Sequence, residues 1–277
     1  MNETNLEYPQ DYINKIICGD HCDLLPQIPD SSIDLTVTSP PYDNLRDYHG
    51  YTFDFPAIAA ELYRVTKDGG VVVWVVGDAT INGSETGTSF RQALGFMDIG
   101  FRLHDTMIWN KGGFSAVGSL AIRYAPVFEY MFVLTKGKLE TFHPIKDRLT
   151  INGGFIASGT IRQVDGKTKP MSKKMVINPY SQRFNIWECS PQRQQGECHP
   201  APFPDKLAQD HVYSWSNAGD IVLDPMCGSG TTCKAAVKLG RRYIGIDISP
   251  DYCAIAEQRI KTELSQPDLP FTKGGGR

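Results

Sequence analysis

Asp220-Ile221-Val222-Leu223-Asp224-Pro225-Met226-Cys227-Gly228-Ser229-Gly230-Thr231-Thr232 reads as a short apolar strand, a Gly-x-Gly turn and the start of a helix. Glycines at such a turn let the backbone approach a nucleotide-like ligand closely. Cys233 to Leu239 continues the helix, Gly240 closes it, and Tyr243-Ile244-Gly245-Ile246-Asp247 is the next strand. Asp247 follows Gly230 by 17 residues, about where a βαβ unit sets a carboxylate against ribose hydroxyls. The third glycine of the dinucleotide fingerprint is missing, with Thr232 and Cys233 in that region. An adenosine ligand without a pyrophosphate therefore fits better than NAD.

Far upstream lies a second punctuated strand end, Val37-Thr38-Ser39-Pro40-Pro41-Tyr42. Ile33 to Val37 is half apolar and rich in β-branched residues, as in a buried strand. The two prolines stop it, because neither donates a ladder hydrogen bond and each restricts the residue before it. The result is a rigid extended turn at the carboxyl end of a strand, the edge where open α/β sheets bind ligands. Ser39 offers a hydroxyl, the proline-held backbone offers carbonyls, and Tyr42 offers an aromatic face. That set suits a planar, amino-bearing ring. Alone, the stretch is read equally well as a strand-ending turn.

The remaining chain alternates strands and helices. Lys15 to Cys18 is a strand ending at Gly19-Asp20, and His21 to Ile28 a short helix. Asp20 is placed to accept a hydrogen bond from an amino group, to cap that helix, or both. Asp43 to Asp54, with Asn44, Arg46, Tyr48, His49 and Tyr51, has no period and reads as a loop over the same edge. Phe55 to Val65 has helical spacing and is expected to stop at Lys67-Asp68-Gly69-Gly70. Val71 to Val76 is apolar on both faces, which calls for helices on both sides and a mostly parallel sheet. It ends at Gly77-Asp78, again an acid at a strand terminus. Helices over Ser89–Phe101, Pro204–Trp215 and Asp251–Leu264, the last capped by Ser249-Pro250, and strands over Leu103–Trp109 and Val127–Leu134 complete the pattern. The fold class expected is a doubly wound, mostly parallel α/β sheet.

From about Leu139 to Gln195 the alternation breaks. Thr141 to Trp187 holds eight basic residues, Lys146, Arg148, Arg162, Lys167, Lys169, Lys173, Lys174 and Arg183, against two acids, Asp147 and Asp165. The chain as a whole has 277 residues, 41% hydrophobic, and a formal charge of −3, so it is not a globally basic nucleic-acid binder. An irregular basic insert within it is either a DNA-contacting module or a solvated loop region. The longest apolar run, Val71 to Val76, is too short to span a bilayer and the amino terminus lacks a basic start, so a cytoplasmic protein without membrane contact is expected. Seven scattered cysteines favour reduced thiols. Cys18, His21 and Cys22, completed by Cys198 and His199, fit no compact zinc template, so no metal is expected.

Together these motifs resemble the amino-methylating DNA methyltransferases. Thr38-Ser39-Pro40-Pro41-Tyr42 looks like their catalytic motif, and Asp224 to Thr232 like their S-adenosylmethionine turn. The catalytic motif preceding the cofactor turn, with the insert between, resembles the circularly permuted β class. His199-Pro200-Ala201-Pro202-Phe203-Pro204 resembles the segment around the methionine portion of the cofactor. The resemblance implies a Rossmann-like methyltransferase fold: a catalytic half over 1–138, a target-recognition insert over 139–195, a cofactor half of the same domain over 196–264 and a flexible tail over 265–277. It implies S-adenosylmethionine as cofactor, held by Asp20 at the adenine amino group, Asp247 at the ribose, and Asp224, Pro225, Cys227, Gly228, Ser229, Gly230, Thr231 and Phe203 around the rest. Each acid is also open to a helix-capping role.

In that reading Ser39 and the Pro40 carbonyl accept the hydrogens of the target amino group, Pro41 stiffens the turn and Tyr42 stacks on a base flipped from the duplex. Asp78 is a candidate proton acceptor, and Arg46 with the eight basic residues of the insert are candidate DNA contacts. Family members with Asp before the prolines usually methylate adenine N6, and those with Ser resemble the cytosine-N4 group. Ser39 therefore points to cytosine N4, with adenine N6 as the alternative. A non-catalytic DNA-binding protein on a degenerate fold, or a methyltransferase acting on RNA or protein amides, are the readings of another kind. Duplex DNA is the implied partner, with a cognate restriction endonuclease and a homodimer left open.

Overall fold

The computed structural model describes residues 6–41, 53–113, 122–157, 159–170, 175–191 and 204–265. Tyr42, Arg46, Lys173, Lys174, Cys198, His199, Phe203 and the tail beyond Ser265 lie outside them. Contacts divide the chain into a large unit, Met1–His143 with Asn185–Asp268, and a small one centred on Pro144–Phe184.

The large unit is built on one sheet. Its strands are β1 Lys15–Cys18, β2 Ile33–Thr38, β3 Thr66–Val76, β4 Arg102–Asn110, β5 Phe128–Thr135, β6 Ile186–Glu188, β7 Ile221–Asp224 and β8 Arg242–Asp247. Their spatial order is β1-β8-β7-β2-β3-β5-β4-β6. All neighbours are parallel except where β5 meets β3 and β4. Strands β7 and β8 thus sit between β1 and β2, so strands far apart in the chain are neighbours in the sheet.

The main helices are α1 His21–Leu24, α2 Phe55–Val65, α3 Thr88–Ile99, α4 Asp205–Trp215, α5 Thr231–Lys238 and α6 Pro250–Leu264. Residues of β3 alternate between two cores. Val72, Trp74 and Val76 join Ile58 and Leu62 of α2 and Phe96 of α3, while Val71, Val73 and Val75 are buried on the other side. There α4 packs on β2 and α5, and α5 on α6. Cover on both faces is why this strand can be wholly apolar.

Two local expectations are corrected. Helix α1 stops at Leu24 and passes into a 3-10 turn over Leu25–Gln27 rather than running to Ile28. Pro26 has no N–H with which to continue an α-helical ladder. The Lys67-Asp68-Gly69-Gly70 stretch is not a helix stop: α2 ends at Val65, Thr66 Oγ1 donates to the Leu62 carbonyl at 2.6 Å, and β3 begins at once. Pairing with β2 runs Ile33↔Thr66 and then Leu35↔Val71, so these residues form an irregularity within the ladder. A Cβ on Gly70 would lie 2.9 Å from the Lys67 carbonyl oxygen and 3.0 Å from that of Asp34. Other boundaries fall within a residue or two of expectation.

The small unit is a set of antiparallel two-stranded ribbons: Arg148–Leu149 with Tyr180–Ser181, Ile156–Ala157 with Met175–Val176, and Thr160–Arg162 with Thr168–Pro170. It is narrower than the 139–195 insert, because Trp187 is buried in edge strand β6 and Phe142 stacks on Trp215 of α4. None of its described residues with an assigned burial is buried.

Trp74 is wholly buried, meets Phe55 and Phe96 edge-on, and donates from Nε1 to Gln92 Oε1 at 2.8 Å. Trp74→Ala is expected to lower unfolding free energy by about 3–5 kcal/mol in a urea titration. Leu94→Ala, on the exposed face of α3, should stay within about 0.5 kcal/mol of the parent.

Candidate active site

Strands β2 and β7 pair in parallel, Val222↔Leu35 and Leu223↔Thr36. Thr38-Ser39-Pro40 and Asp224-Pro225-Met226 therefore leave the sheet side by side at its carboxyl edge. Two buried hydrogen bonds join them. Thr38 Oγ1 donates to Asp224 Oδ1 at 2.8 Å, and Thr232 Oγ1, in the first turn of α5, donates to the Val37 carbonyl at 3.0 Å. Ser39 is half-buried and Pro40 buried. Asp224 is itself 2% exposed, so its carboxyl belongs to this link rather than to a ligand surface. Burial lifts it to about 7, against the opposing bonds from Thr38 and the Met226 N–H.

Beside β7, β8 brings the second acid to the same edge. Both oxygens of Asp247 accept backbone N–H groups, from Gly228 at 2.8 Å and Ser249 at 2.9 Å. Burial raises its carboxyl above the usual carboxylate range and these two donors oppose the rise. The Cys227 N–H donates to the Ile246 carbonyl at 2.8 Å, fixing the turn on the end of β8. One strand further, Cys18 pairs with Asp247 and the Gly19 N–H donates to the Asp247 carbonyl at 2.9 Å, which sets Asp20 at the same edge. Asp20 accepts from the Cys22 N–H at 2.8 Å and so does cap α1. Asp20, His21 and Cys22 offer ligand atoms within 4.8 Å of one another, the single such group among the described residues. Cys18 is not in it; its Sγ lies 3.9 Å from the Ile248 carbonyl oxygen.

The Gly-x-Gly turn has the backbone the motif requires. Gly228 has φ +49° and Gly230 φ +77°, both left-handed. A Cβ on Gly230 would lie 2.7 Å from Cβ of Ala256 on α6. Pro225, Cys227, Gly228, Ser229, Gly230 and Thr231 are all buried. The Cys227 thiol, hydrogen-bonded to Cys233 and buried, is pushed well above its ordinary range, as befits an inert packing thiol.

Sequence reasoning missed a brace under the turn. Arg259 of α6 donates from Nη1 to the Ser229 carbonyl and Oγ, both at 2.7 Å, and from Nη2 to Asp205 at 3.0 Å. Lys234 reaches the other Asp205 oxygen at 2.8 Å. A lone arginine on a surface helix carries no local signal of this role. Asp78 lies at the edge too, but its oxygens accept from the Ser89 N–H at 2.9 Å, Ser89 Oγ at 2.5 Å and Thr86 Oγ1 at 3.4 Å, anchoring the start of α3.

Of the basic candidates, Lys146, Arg162, Lys167 and Lys169 are exposed. Arg183 is paired with Asp147, and Arg148 stacks 4.1 Å over the Phe184 ring while donating to the Gln182 carbonyl at 3.0 Å.

A positive-φ Gly-x-Gly turn with two half-buried acids on the next two strands fits an adenosine-bearing ligand. The family model described as DNA methylase matches residues 33–258, spanning both turns. The chain is an N6/N4 DNA methylase. Orphan methyltransferase M.BamHII of Bacillus amyloliquefaciens is 52% identical to it over 245 residues, covering 86% of this chain and 92% of that protein. The putative DNA modification methylase TTHA0409 of Thermus thermophilus superposes with a TM-score of 0.62 at 26% identity, covering 91% of this chain and 96% of that one. Its structure is also known in complex with S-adenosyl-L-methionine. The PvuII cytosine-N4-specific DNA methyltransferase shares the fold, with a TM-score of 0.65 at 21% identity over 88% of this chain and 85% of its own. In the methylase described here both turns lie at the strands' carboxyl ends, the edge where doubly wound folds generally bind ligands. Among the described residues no helix is long and apolar enough to cross a membrane.

Gly230 and Gly240 both have left-handed backbone, at φ +77° and +71°, but nothing lies within 4 Å of a Cβ on Gly240. Gly240→Ala is expected to cost about 1–2 kcal/mol from backbone strain alone. Gly230→Ala should cost about 1–3 kcal/mol more, because α6 must also give way. Parallel denaturant titrations check the difference.

Proposed function

We propose that the protein methylates the exocyclic N4 amino group of cytosine in duplex DNA, with S-adenosylmethionine as donor, at a base turned out of the helix. The observation that carries this is the position of Ser39: it directly follows Thr38, whose hydroxyl is hydrogen-bonded to Asp224 at the root of the glycine turn. Both motifs therefore leave the sheet at the same edge. An aromatic amino group is a poor nucleophile while its lone pair is conjugated with the ring. The Ser39 hydroxyl and Pro40 carbonyl accept its two hydrogens, pyramidalise the nitrogen and free the lone pair. Tyr42 replaces the stacking that the flipped base gives up. S-adenosylmethionine, when bound, supplies an electrophilic sulfonium methyl. Asp247 holds the ribose, Asp20 the adenine amino group, and the backbone from Cys227 to Gly230, with Phe203, the methionine portion.

Serine rather than aspartate before the prolines supports cytosine over adenine. The small unit supports a nucleic-acid partner. Its ribbons have no buried residue among those with assigned burial, expose Phe155 (69%) and Phe184 (62%), and carry the exposed Lys146, Arg162, Lys167 and Lys169. Two-stranded ribbons without a core are marginal alone, and an anionic, stackable partner matches both their charge and their aromatics. The protein would then act in the cytoplasm of a bacterial or phage-infected cell. A cognate restriction endonuclease is not required by the chemistry.

Incubation with duplex DNA and methyl-labelled S-adenosylmethionine, followed by nucleoside analysis, is expected to yield N4-methylcytosine. N6-methyladenine would overturn the base assignment, and incorporation into RNA or protein alone would overturn the substrate. Ser39→Ala should lower turnover about 100-fold or more while S-adenosylhomocysteine still binds. Unchanged turnover would remove Ser39 from the mechanism.

A further inference from the structure

Three segments meet at one guanidinium beneath the glycine turn. Arg259 of α6 donates from Nη1 to the Ser229 carbonyl and Ser229 Oγ, both at 2.7 Å, and to Thr231 Oγ1 at 3.2 Å. From Nη2 it donates to Asp205 at 3.0 Å, and Asp205 is the first residue of α4. Lys234 of α5 donates to the other Asp205 oxygen at 2.8 Å. Three residues before Arg259 stands Ala256, the residue a Cβ on Gly230 would meet at 2.7 Å. Residues three apart share a helix face, so one face of α6 meets the turn through a methyl group and a guanidinium. The two segments that Arg259 joins are not arbitrary. Ser229 lies within Cys227 to Gly230, and Asp205 stands two residues after Phe203, the two places assigned above to the methionine portion of the cofactor.

Stability alone does not call for this arrangement. The side chains of Arg259, Asp205 and Lys234 are 11%, 20% and 22% exposed. The cost of stripping water from such charges largely cancels their attraction, and apolar residues of similar volume often hold such positions as well or better. What apolar contact lacks is direction, whereas a guanidinium carries its donors in a fixed planar fork and so sets the angle between its partners. We propose that Arg259, acting with Asp205, is a positioning residue for S-adenosylmethionine: it holds the glycine turn and the start of α4 in the relative geometry that the methionine portion requires. This deepens the reading of those segments as the cofactor seat and rests on it.

The test separates stability from cofactor affinity. Arg259→Lys keeps the charge and loses the fork. Arg259→Met combined with Asp205→Leu replaces the pair by apolar side chains and leaves Lys234 with Glu263, 4.0 Å away. Arg64→Ala, which removes a guanidinium that serves the Leu25 and Ile28 carbonyls, is the control for lost stability. Melting temperature, S-adenosylhomocysteine affinity by calorimetry, and kcat and KM for S-adenosylmethionine on duplex DNA are measured for each. Arg259→Lys is expected to weaken S-adenosylhomocysteine binding about tenfold and to raise KM by about the same factor, with kcat at saturating cofactor within about threefold of wild type. The double variant should melt within about 4 °C of wild type and still bind at least as weakly as Arg259→Lys. Arg64→Ala should melt lower with unchanged affinity. Wild-type affinity in the double variant or in Arg259→Lys overturns the proposal, and so does an equal loss of affinity in Arg64→Ala. Wild type that binds S-adenosylhomocysteine yet methylates no cytosine would sink the methyl-transfer reading and leave the affinities to decide the role of Arg259. Wild type with no affinity for it overturns both.

Discussion

The structure depends on a contact between residues 186 positions apart in the chain, the 2.8 Å hydrogen bond from Thr38 to Asp224. Parallel pairing of β2 with β7 brings their ends together, but pairing alone fixes strands and not the turns beyond them. The Thr38–Asp224 and Thr232–Val37 bonds extend the register past the sheet edge. Both are buried, where an unpaired polar group costs more than a hydrogen bond gains, so partial loosening is unfavourable. That is how two loops, each bending away from its strand, hold a fixed geometry at the sheet edge.

Around this link the supports are graded. The glycine turn is held from β8 by Asp247 and from α6 by Arg259, and the approach of α6 to Gly230 leaves no room for a side chain. The ribbons over 144–184 are the opposite case, with exposed apolar groups and local pairs such as Arg183 with Asp147. The braced sheet edge and the segment without a buried residue among those with assigned burial thus differ sharply in how their side chains are held.

Much of this was legible in the sequence because it is written in short-range patterns. Strand periodicity, Gly-x-Gly, Pro-Pro and the acids at strand ends located the sheet, both turns and the edge they share. What escaped was of two kinds. Long-range partners such as Thr38 with Asp224, Thr232 with Val37 and Arg259 with Ser229 leave no local trace, since each residue is ordinary in its own neighbourhood. Ambiguous punctuation was the other kind. Gly69-Gly70 after an amphipathic run looks like a helix stop, yet Thr66 closes that helix and the glycines serve the β2–β3 irregularity. Asp78 is an acid at a strand end like Asp247, and only the structure shows its carboxylate anchoring α3.

A double-mutant cycle reads the central link most directly. Thr38→Val, Asp224→Ala and the pair are compared in unfolding free energy and in affinity for S-adenosylhomocysteine. If the two turns are one unit, the double variant falls short of the summed losses by about 0.5–3 kcal/mol in stability, and S-adenosylhomocysteine binding weakens in Thr38→Val although Thr38 is not among the groups assigned to the cofactor. Additivity within about 0.3 kcal/mol, with cofactor affinity indifferent to Thr38, would mean that the turns merely lie side by side.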